Sequence, residues 1–155
     1  MPTSHSALLL SALITATGSA QQTPLTVAEA SGHQQTSRAA DVARFIEQCE
    51  QLPHGGRLAA GSMGSSHEGR RMQLVRASLP GANPHAQLRV VVIGNIHAGE
   101  VEGKEAVQEL IREIASGQHT ELLERCTVWF VPIYNVDGNE RSEEHTSELQ
   151  SRQYL

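Results

Sequence analysis

Aromatic residues make up only 3% of the 155 residues, cysteine occurs twice, and no long apolar run is present. Each scarcity excludes something. A membrane-spanning helix needs about 18 consecutive apolar residues, so the sequence predicts no membrane span. Lys and Arg number 12 against 17 Asp and Glu, a net charge of −5 with no basic stripe, which argues against nucleic acid as a partner. Charged residues, at 19%, are too few and too mixed in sign for a highly charged disordered chain. A hydrophobic fraction of 39% over this length is enough for one buried core and hardly for two. Cys49 and Cys126 are far apart and have no CxxC neighbour, so neither a thiolate zinc site nor a redox pair is expected. They form either one disulfide or two buried thiols, and their amphipathic or apolar surroundings favour buried free thiols.

The two ends read differently from the middle. Residues 1–20 contain a short apolar segment, Ala7 to Ala16, followed by Gly18-Ser19-Ala20. That is the order of a secretory signal peptide with cleavage near Ala20, although no Lys or Arg precedes the apolar run. The alternative is a weakly helical or disordered N-terminal tail. Gln21 to Thr36 is polar and aperiodic and reads as an extended lead-in. From Arg141 onward the composition breaks sharply into RSEEHTSELQS, a string that resembles the translation of a sequencing-library adapter. Residues 142–155 are therefore expected to be a non-native or disordered tail, the alternative being a genuine polar C-terminus. Between the ends, residues 21–141 hold 11 Lys and Arg against 14 Asp and Glu, so the charge falls to −3 and carries no functional signal.

Within 21–141 the hydrophobic period alternates. Val42, Phe45, Ile46 and Cys49 follow i, i+3, i+4, i+7 and predict a helix from Ser37 to about Leu52, with Ser37 as N-cap and Asp41 in the first turn. Pro53 and Gly55-Gly56 end it. Arg57–Ser62 and Arg71–Ser78 read as the strands of a hairpin around a turn-rich Met63–Gly69. Leu88–Ile96 is a nearly continuous β-branched run, of the kind covered on both faces in a mostly parallel sheet. Ala106, Val107, Leu110, Ile111 and Ile114 return to helical spacing over Val101–Ser116, Thr120–Arg125 adds a helical turn, and Thr127–Ile133 is a second apolar strand. Strand, helix and strand make one βαβ unit, so the class is α/β.

The chemistry lies just past the first apolar strand. His97 and Glu100 stand three residues apart in Gly94-Asn95-Ile96-His97-Ala98-Gly99-Glu100, at a strand's carboxyl end, where ligands gather in open α/β sheets. An imidazole nitrogen and a carboxylate oxygen at that spacing can converge on one tetrahedral zinc ion. With 8 His and 15 Glu, chance alone supplies about one HxxE pair, and a second, His145/Glu148, falls in the suspect tail with no strand before it. On spacing alone, a polar strand-to-helix turn in which Glu100 serves the helix N-terminus stays open beside the metal reading. His119 lies beyond the far end of the following helix, while His54, His67 and His85 fall in turns and loops and read as solvated.

Three segments together resemble one family. GNIHAGEVEGKEA is similar to the HxxE zinc motif of the M14 metallocarboxypeptidases. Asn135-Val136-Asp137-Gly138 resembles the family's Asn-Pro-Asp-Gly segment, with Val136 where Pro is usual. Gly64-Ser65-Ser66-His67-Glu68-Gly69-Arg70 resembles its Gly-x-Ser-x-Glu-Gly-Arg hairpin. Gly99 stands where some members carry a substrate-contacting Arg. The likeness spans Ala28 to Arg141.

The resemblance implies the N-terminal portion of a catalytic domain over 21–141, built on a mixed, mostly parallel sheet flanked by helices and truncated. It implies Zn2+ as cofactor, peptide or protein C-termini as substrate, and a secreted or periplasmic location. His97 and Glu100 are the metal ligands it assigns. The third ligand, a His, the general-base Glu and the substrate-binding Arg residues of the family lie downstream of any position present here. The chain alone is therefore expected to be inactive, and poorly soluble through an unpaired sheet edge. Two other readings remain: a deacylase resembling aspartoacylases or succinylglutamate desuccinylases, and a non-enzymatic secreted binding domain whose HxxE turn is structural.

Overall fold

A computed structural model describes residues 22–83 and 87–141. The segments read as signal peptide (1–20) and tail (142–155), together with His85 and His145, lie outside the described residues. The elements are α1 (Val27–Ala30), α2 (Ala39–Glu50), a single 3-10 turn (Gly55–Arg57), β1 (Leu58–Ser65), β2 (Arg71–Ala77), β3 (Leu88–Ile93), α3 (Glu102–Ala115), α4 (Thr120–Arg125), β4 (Cys126–Val131) and α5 (Val136–Glu140).

The four strands form one mixed sheet in the order β1-β2-β4-β3. The hairpin β1/β2 is antiparallel, as is β2/β4, with Val75 opposite Phe130. β3 and β4 pair in parallel, Val90 opposite Val128 and Val92 opposite Phe130, joined by the crossover through α3. The expected mixed α/β sheet with flanking helices is what forms, although only one of the three pairings among the described strands, β3/β4, is parallel where mostly parallel pairing was expected. Its core joins Val42, Phe45, Ile46 and Cys49 of α2 with Val107, Ile111 and Ile114 of α3, against Val75, Val128 and Phe130 of the sheet. The helical periodicities placed these side chains correctly. Cys49 and Cys126 are both buried and free, and burial pushes the Cys49 thiol up to about 12, so it stays protonated at physiological pH.

Three local expectations are corrected. The run Leu88–Ile96 is not covered on both faces: β3 stops at Ile93 and is an edge strand of the described sheet. Val90 and Val92 pack on the core, whereas Leu88, Val91 and Ile93 are 69%, 60% and 44% exposed. A continuous apolar run specifies the chemistry of both faces but not what meets them. Second, Ser37 is not the cap of α2. It is buried, its N–H donates to Glu105 Oε1 (3.0 Å), and Arg38 takes the N-cap position, its N–H donating to Asp41 Oδ2 (3.0 Å). Third, the lead-in is not simply extended, because Thr26 and Glu29 form a reciprocal capping box that starts α1. Arg112 of α3 then grips Glu29 with both guanidinium nitrogens (2.5 and 2.8 Å) and holds the Pro24 carbonyl (3.0 Å), pinning the lead-in to the core helices.

Where β3 meets α3 the backbones nearly touch. A Cβ on Gly94 would lie 2.8 Å from the Pro132 carbonyl oxygen and 3.1 Å from the Gly103 backbone, distances a side chain does not tolerate. Glycine here lets the first turn of α3 lie directly over the strand end. Gly94→Ala is expected to cost ~1–3 kcal/mol by overpacking against backbone that has no room to yield. Equilibrium urea unfolding measures this, and a midpoint equal to wild type would refute the close contact.

Candidate metal centre

Beyond Ile93 the strand pairing continues although the strands do not. Gly94 N donates to Val131 O (2.9 Å), Tyr134 N to Gly94 O (3.0 Å) and Asn135 N to Asn95 O (3.0 Å). Asn95 is buried and has φ +51°, a left-handed conformation that Asn adopts more readily than most residues. That reversal turns the chain out of the sheet into the segment 96–100. Glu100 N donates to His97 O (3.1 Å) and closes the turn. Asn95 Nδ2 reaches the carbonyls of His97, Ala98 and Glu100 at 3.1–3.2 Å. The side chains of His97 and Glu100 therefore leave the turn on its solvent side, 61% and 58% exposed, with His97 Nδ1 3.1 Å from Glu100 Oε1.

That separation can be tested against a metal. Two ligands at 2.0–2.2 Å on a tetrahedral ion are about 3.3–3.6 Å apart. The observed 3.1 Å is a direct hydrogen bond and lies just below this range, so a small opening of the pair would admit an ion, and an imidazole nitrogen with a carboxylate oxygen is a donor set zinc accepts. The two residues thus fit one side of a zinc site. Among the described residues no group of three or more His, Cys, Asp or Glu side chains comes together as a metal cluster. His119 is elsewhere, past the C-terminal end of α3 with Nε2 2.7 Å from Glu113 Oε2, and His54 and His67 are exposed.

The other two motifs converge on the same place. α5 begins at Asn135, whose Oδ1 accepts from Gly138 N (3.0 Å). A Cβ on Gly138 would fall 2.6 Å from the Cβ of Ala98, so the bare glycine lets α5 pack directly against the turn between His97 and Glu100. From the same helix Asp137 reaches the hairpin. Its carboxylate accepts from Ser66 Oγ (2.7 Å), Glu68 N (3.1 Å) and Arg70 Nη1 (2.7 Å). Arg70 also pairs with Glu68, and Glu68 with Arg141. Within the hairpin tip, Arg70 N donates to Ser66 Oγ (3.0 Å) and Ser66 N to Arg70 O (2.8 Å). Sequence reading gave the hairpin and the Asn-x-Asp-Gly segment as separate likenesses. It assigned no role to Ser66 or Asp137, which lie 71 residues apart in the chain, nor to Asn95, whose partners are near in sequence but are backbone carbonyls that carry no side-chain signature. The one available signal was an Asn directly after a strand-ending glycine.

Desolvation raises the Asp137 pKa, but the hydrogen bonds from Ser66 and Arg70 and the charge of Arg70 outweigh it and hold the carboxyl below its ordinary 3.8. A carboxyl whose folded pKa is depressed adds stability above its unfolded pKa and loses it as pH falls through the folded one. Asp137→Asn is therefore expected to lower the melting temperature at neutral pH, and its deficit relative to wild type is expected to shrink below about pH 4. A deficit that stays constant from pH 7 to 2.5 would show that the charge of Asp137 does not hold the hairpin. Glu29, held low by its hydrogen bonds to Arg112, contributes to both proteins alike and cancels in the comparison.

The chain is similar to several known carboxypeptidases. Human and mouse carboxypeptidase D are each 30% identical to this chain over 92 residues, which are 56% of this chain and 7% of theirs. Among solved structures, a metallo-carboxypeptidase of Burkholderia cenocepacia is 27% identical with a TM-score of 0.54, over 64% of this chain and 27% of that one. The fold also matches bovine thrombin-activatable fibrinolysis inhibitor, solved with tick carboxypeptidase inhibitor (17% identity, TM-score 0.59, 72% of this chain and 35% of that one). It matches carboxypeptidase A of Helicoverpa armigera as well (16%, TM-score 0.61, 70% and 26%). The chain thus spans well under half the length of these relatives. The sequence model of the zinc carboxypeptidases, peptidase M14, matches residues 42–154, a stretch that holds the hairpin, the His97–Glu100 turn and the Asn135–Gly138 segment, and the chain belongs to that family.

Proposed function

We propose that this chain carries the first part of a zinc carboxypeptidase centre, with His97 and Glu100 as two of the metal's ligands and the C-termini of peptides or proteins as the substrate class. The observation that carries this reading is the convergence of His97 Nδ1 and Glu100 Oε1 to within 3.1 Å of each other on an exposed turn past a strand's carboxyl end, in a chain of the zinc carboxypeptidase family. The chemistry zinc supplies there is Lewis-acid polarisation of the scissile carbonyl and acidification of water. Glu100 contributes a full negative charge that offsets the cation, and His97 a neutral nitrogen. Their exposure leaves both reachable by an ion and a substrate from solvent. The hairpin, Asp137 and α5 hold the turn from behind.

Two ligands make an incomplete centre. A general base, a third ligand and cationic groups for the substrate's terminal carboxylate are each needed for hydrolysis at neutral pH. With no further metal cluster among the described residues, the chain is expected to be inactive on its own, and its apolar N-terminal segment, outside the described residues, supports export across a membrane. Among the described residues no helix is long and apolar enough to cross one.

Zinc is expected to bind the purified 155-residue chain weakly, and His97→Ala or Glu100→Gln is expected to weaken it further, about tenfold or more, in calorimetric titration. Tight stoichiometric zinc, or equal affinity in all three proteins, would overturn the two-ligand assignment. Chelator-sensitive release of C-terminal amino acids from a peptide by this chain would overturn its inactivity.

A further inference from the structure

We infer that Asn95 is a positioning residue for the metal turn: its side-chain amide sets the backbone shape that brings His97 Nδ1 and Glu100 Oε1 together. This rests on the reading of His97 and Glu100 as metal ligands. Three backbone carbonyls, those of His97, Ala98 and Glu100, converge on Asn95 Nδ2 at 3.2, 3.1 and 3.1 Å. Three acceptors of the same partial charge do not gather in one place unless a donor holds them. Asn95 is 3% exposed, so water does not readily take that place. An amide nitrogen carries two hydrogens, so at least one is shared among the three oxygens.

The orientation of the amide follows from the same contacts. Turned over, it would set Oδ1 against three carbonyl oxygens. As it stands, Oδ1 is buried and has no hydrogen-bond partner among the described residues. The side chain is thus held to the protein through its nitrogen. A left-handed backbone carries a conformational cost at the same residue. That cost is tolerated where the turn needs a residue that accepts φ +51° and also presents a donor. Glycine meets the first demand without the second. Aspartate fits the same space but opposes the carbonyls with its own charge.

With the carbonyls drawn inward, the side chains on the other side of the turn are directed outward and toward each other. Asn95 does not touch the ion. Supporting hydrogen bonds of this kind around a metal typically alter affinity by about 10–100-fold.

The test is a zinc titration of the whole 155-residue chain followed by residue-resolved NMR, in wild type, Asn95→Asp and Asn95→Gly. Both substitutions accept the left-handed backbone. In wild type the amide signals of His97 and Glu100 are expected to shift with added zinc. In the variants the midpoint is expected to rise by about 10–100-fold, with the signals of α2, α3 and β4 unmoved. Variants with the wild-type midpoint would overturn the role of Asn95 and leave the ligands standing. A wild type whose His97 and Glu100 signals ignore zinc would overturn the ligand assignment, and this role with it. If both variants lose their folded spectrum, wild type alone decides: its Asn95 side-chain NH2 is expected to exchange with solvent far more slowly than a free amide, and exchange at the free rate would refute the inference.

Discussion

The parallel pairing of β3 and β4 outlasts the strands themselves: Tyr134 N donates to Gly94 O and Asn135 N to Asn95 O, each at 3.0 Å. Everything chemical in the chain hangs from those two bonds. One side of the pair leads into the turn with His97 and Glu100, the other into α5 with Asp137 and Gly138. Parallel neighbours are evenly bonded along their length, so fixing two residues past the strand ends fixes where both segments leave the sheet. Gly94, with no room for a Cβ, then lets α3 descend onto the same point. The turn is therefore bounded by the strand pair, by the start of α3 and by α5 packed on Ala98.

The tip of the hairpin joins this frame by charge and hydrogen bonds rather than by packing. The β1/β2 tip would be an ordinary exposed turn if Asp137 did not accept from Ser66, Glu68 N and Arg70 at once. Each of these contacts closes about 70 residues of chain, so its entropic cost is met only because the sheet has already aligned β2 with β4. Once β2 is seated beside β4, the tip of its hairpin lies beside the end of β4, and a single carboxylate suffices to hold it. Three motifs that look independent along the sequence are consequently one assembly in space.

Much of this was legible beforehand, and the limits have physical causes. Val42, Phe45, Ile46 and Cys49 on α2, and Val107, Ile111 and Ile114 on α3, announced themselves by period because burial of one helix face is a local pattern. The hairpin strands and the αβ order followed likewise. Lys104 and Gln108 did not, although both are fully buried. A period counts apolar residues, and these two earn their places through partners far away: Lys104 Nζ donates to Ser37 O and Asn139 Oδ1, each at 2.6 Å. α5 has no apolar period at all and exists through the Asn135 cap and its contact with Ala98. The edge position of β3 was hidden because composition reports what a strand's faces are made of and not what covers them. At the site, three-residue spacing marked out His97 and Glu100 but left a metal pair and a structural turn both open, whereas Asn95 depends on a backbone angle and on three carbonyls that no spacing encodes.

Lys104 shows how the exposed His97 and Glu100 are held without being buried. A charge this deep is disfavoured, and burial pushes its ammonium below the ordinary lysine value against the opposing pull of Glu105, Glu140 and Asp41. The arrangement persists because Lys104 ties the first turn of α3 to Ser37 and to α5, while Glu105, beside it, accepts from Thr36 Oγ1 (2.7 Å) and Ser37 N. Opposite charges in one helical turn thus clamp the start of α3 from two directions, and Glu100 lies just before that start. A ligand that an ion must reach from solvent cannot be immobilised by being buried itself. Here the immobile parts are one layer down, in Gly94, Asn95 and Lys104, and the exposed imidazole and carboxylate inherit their positions from them.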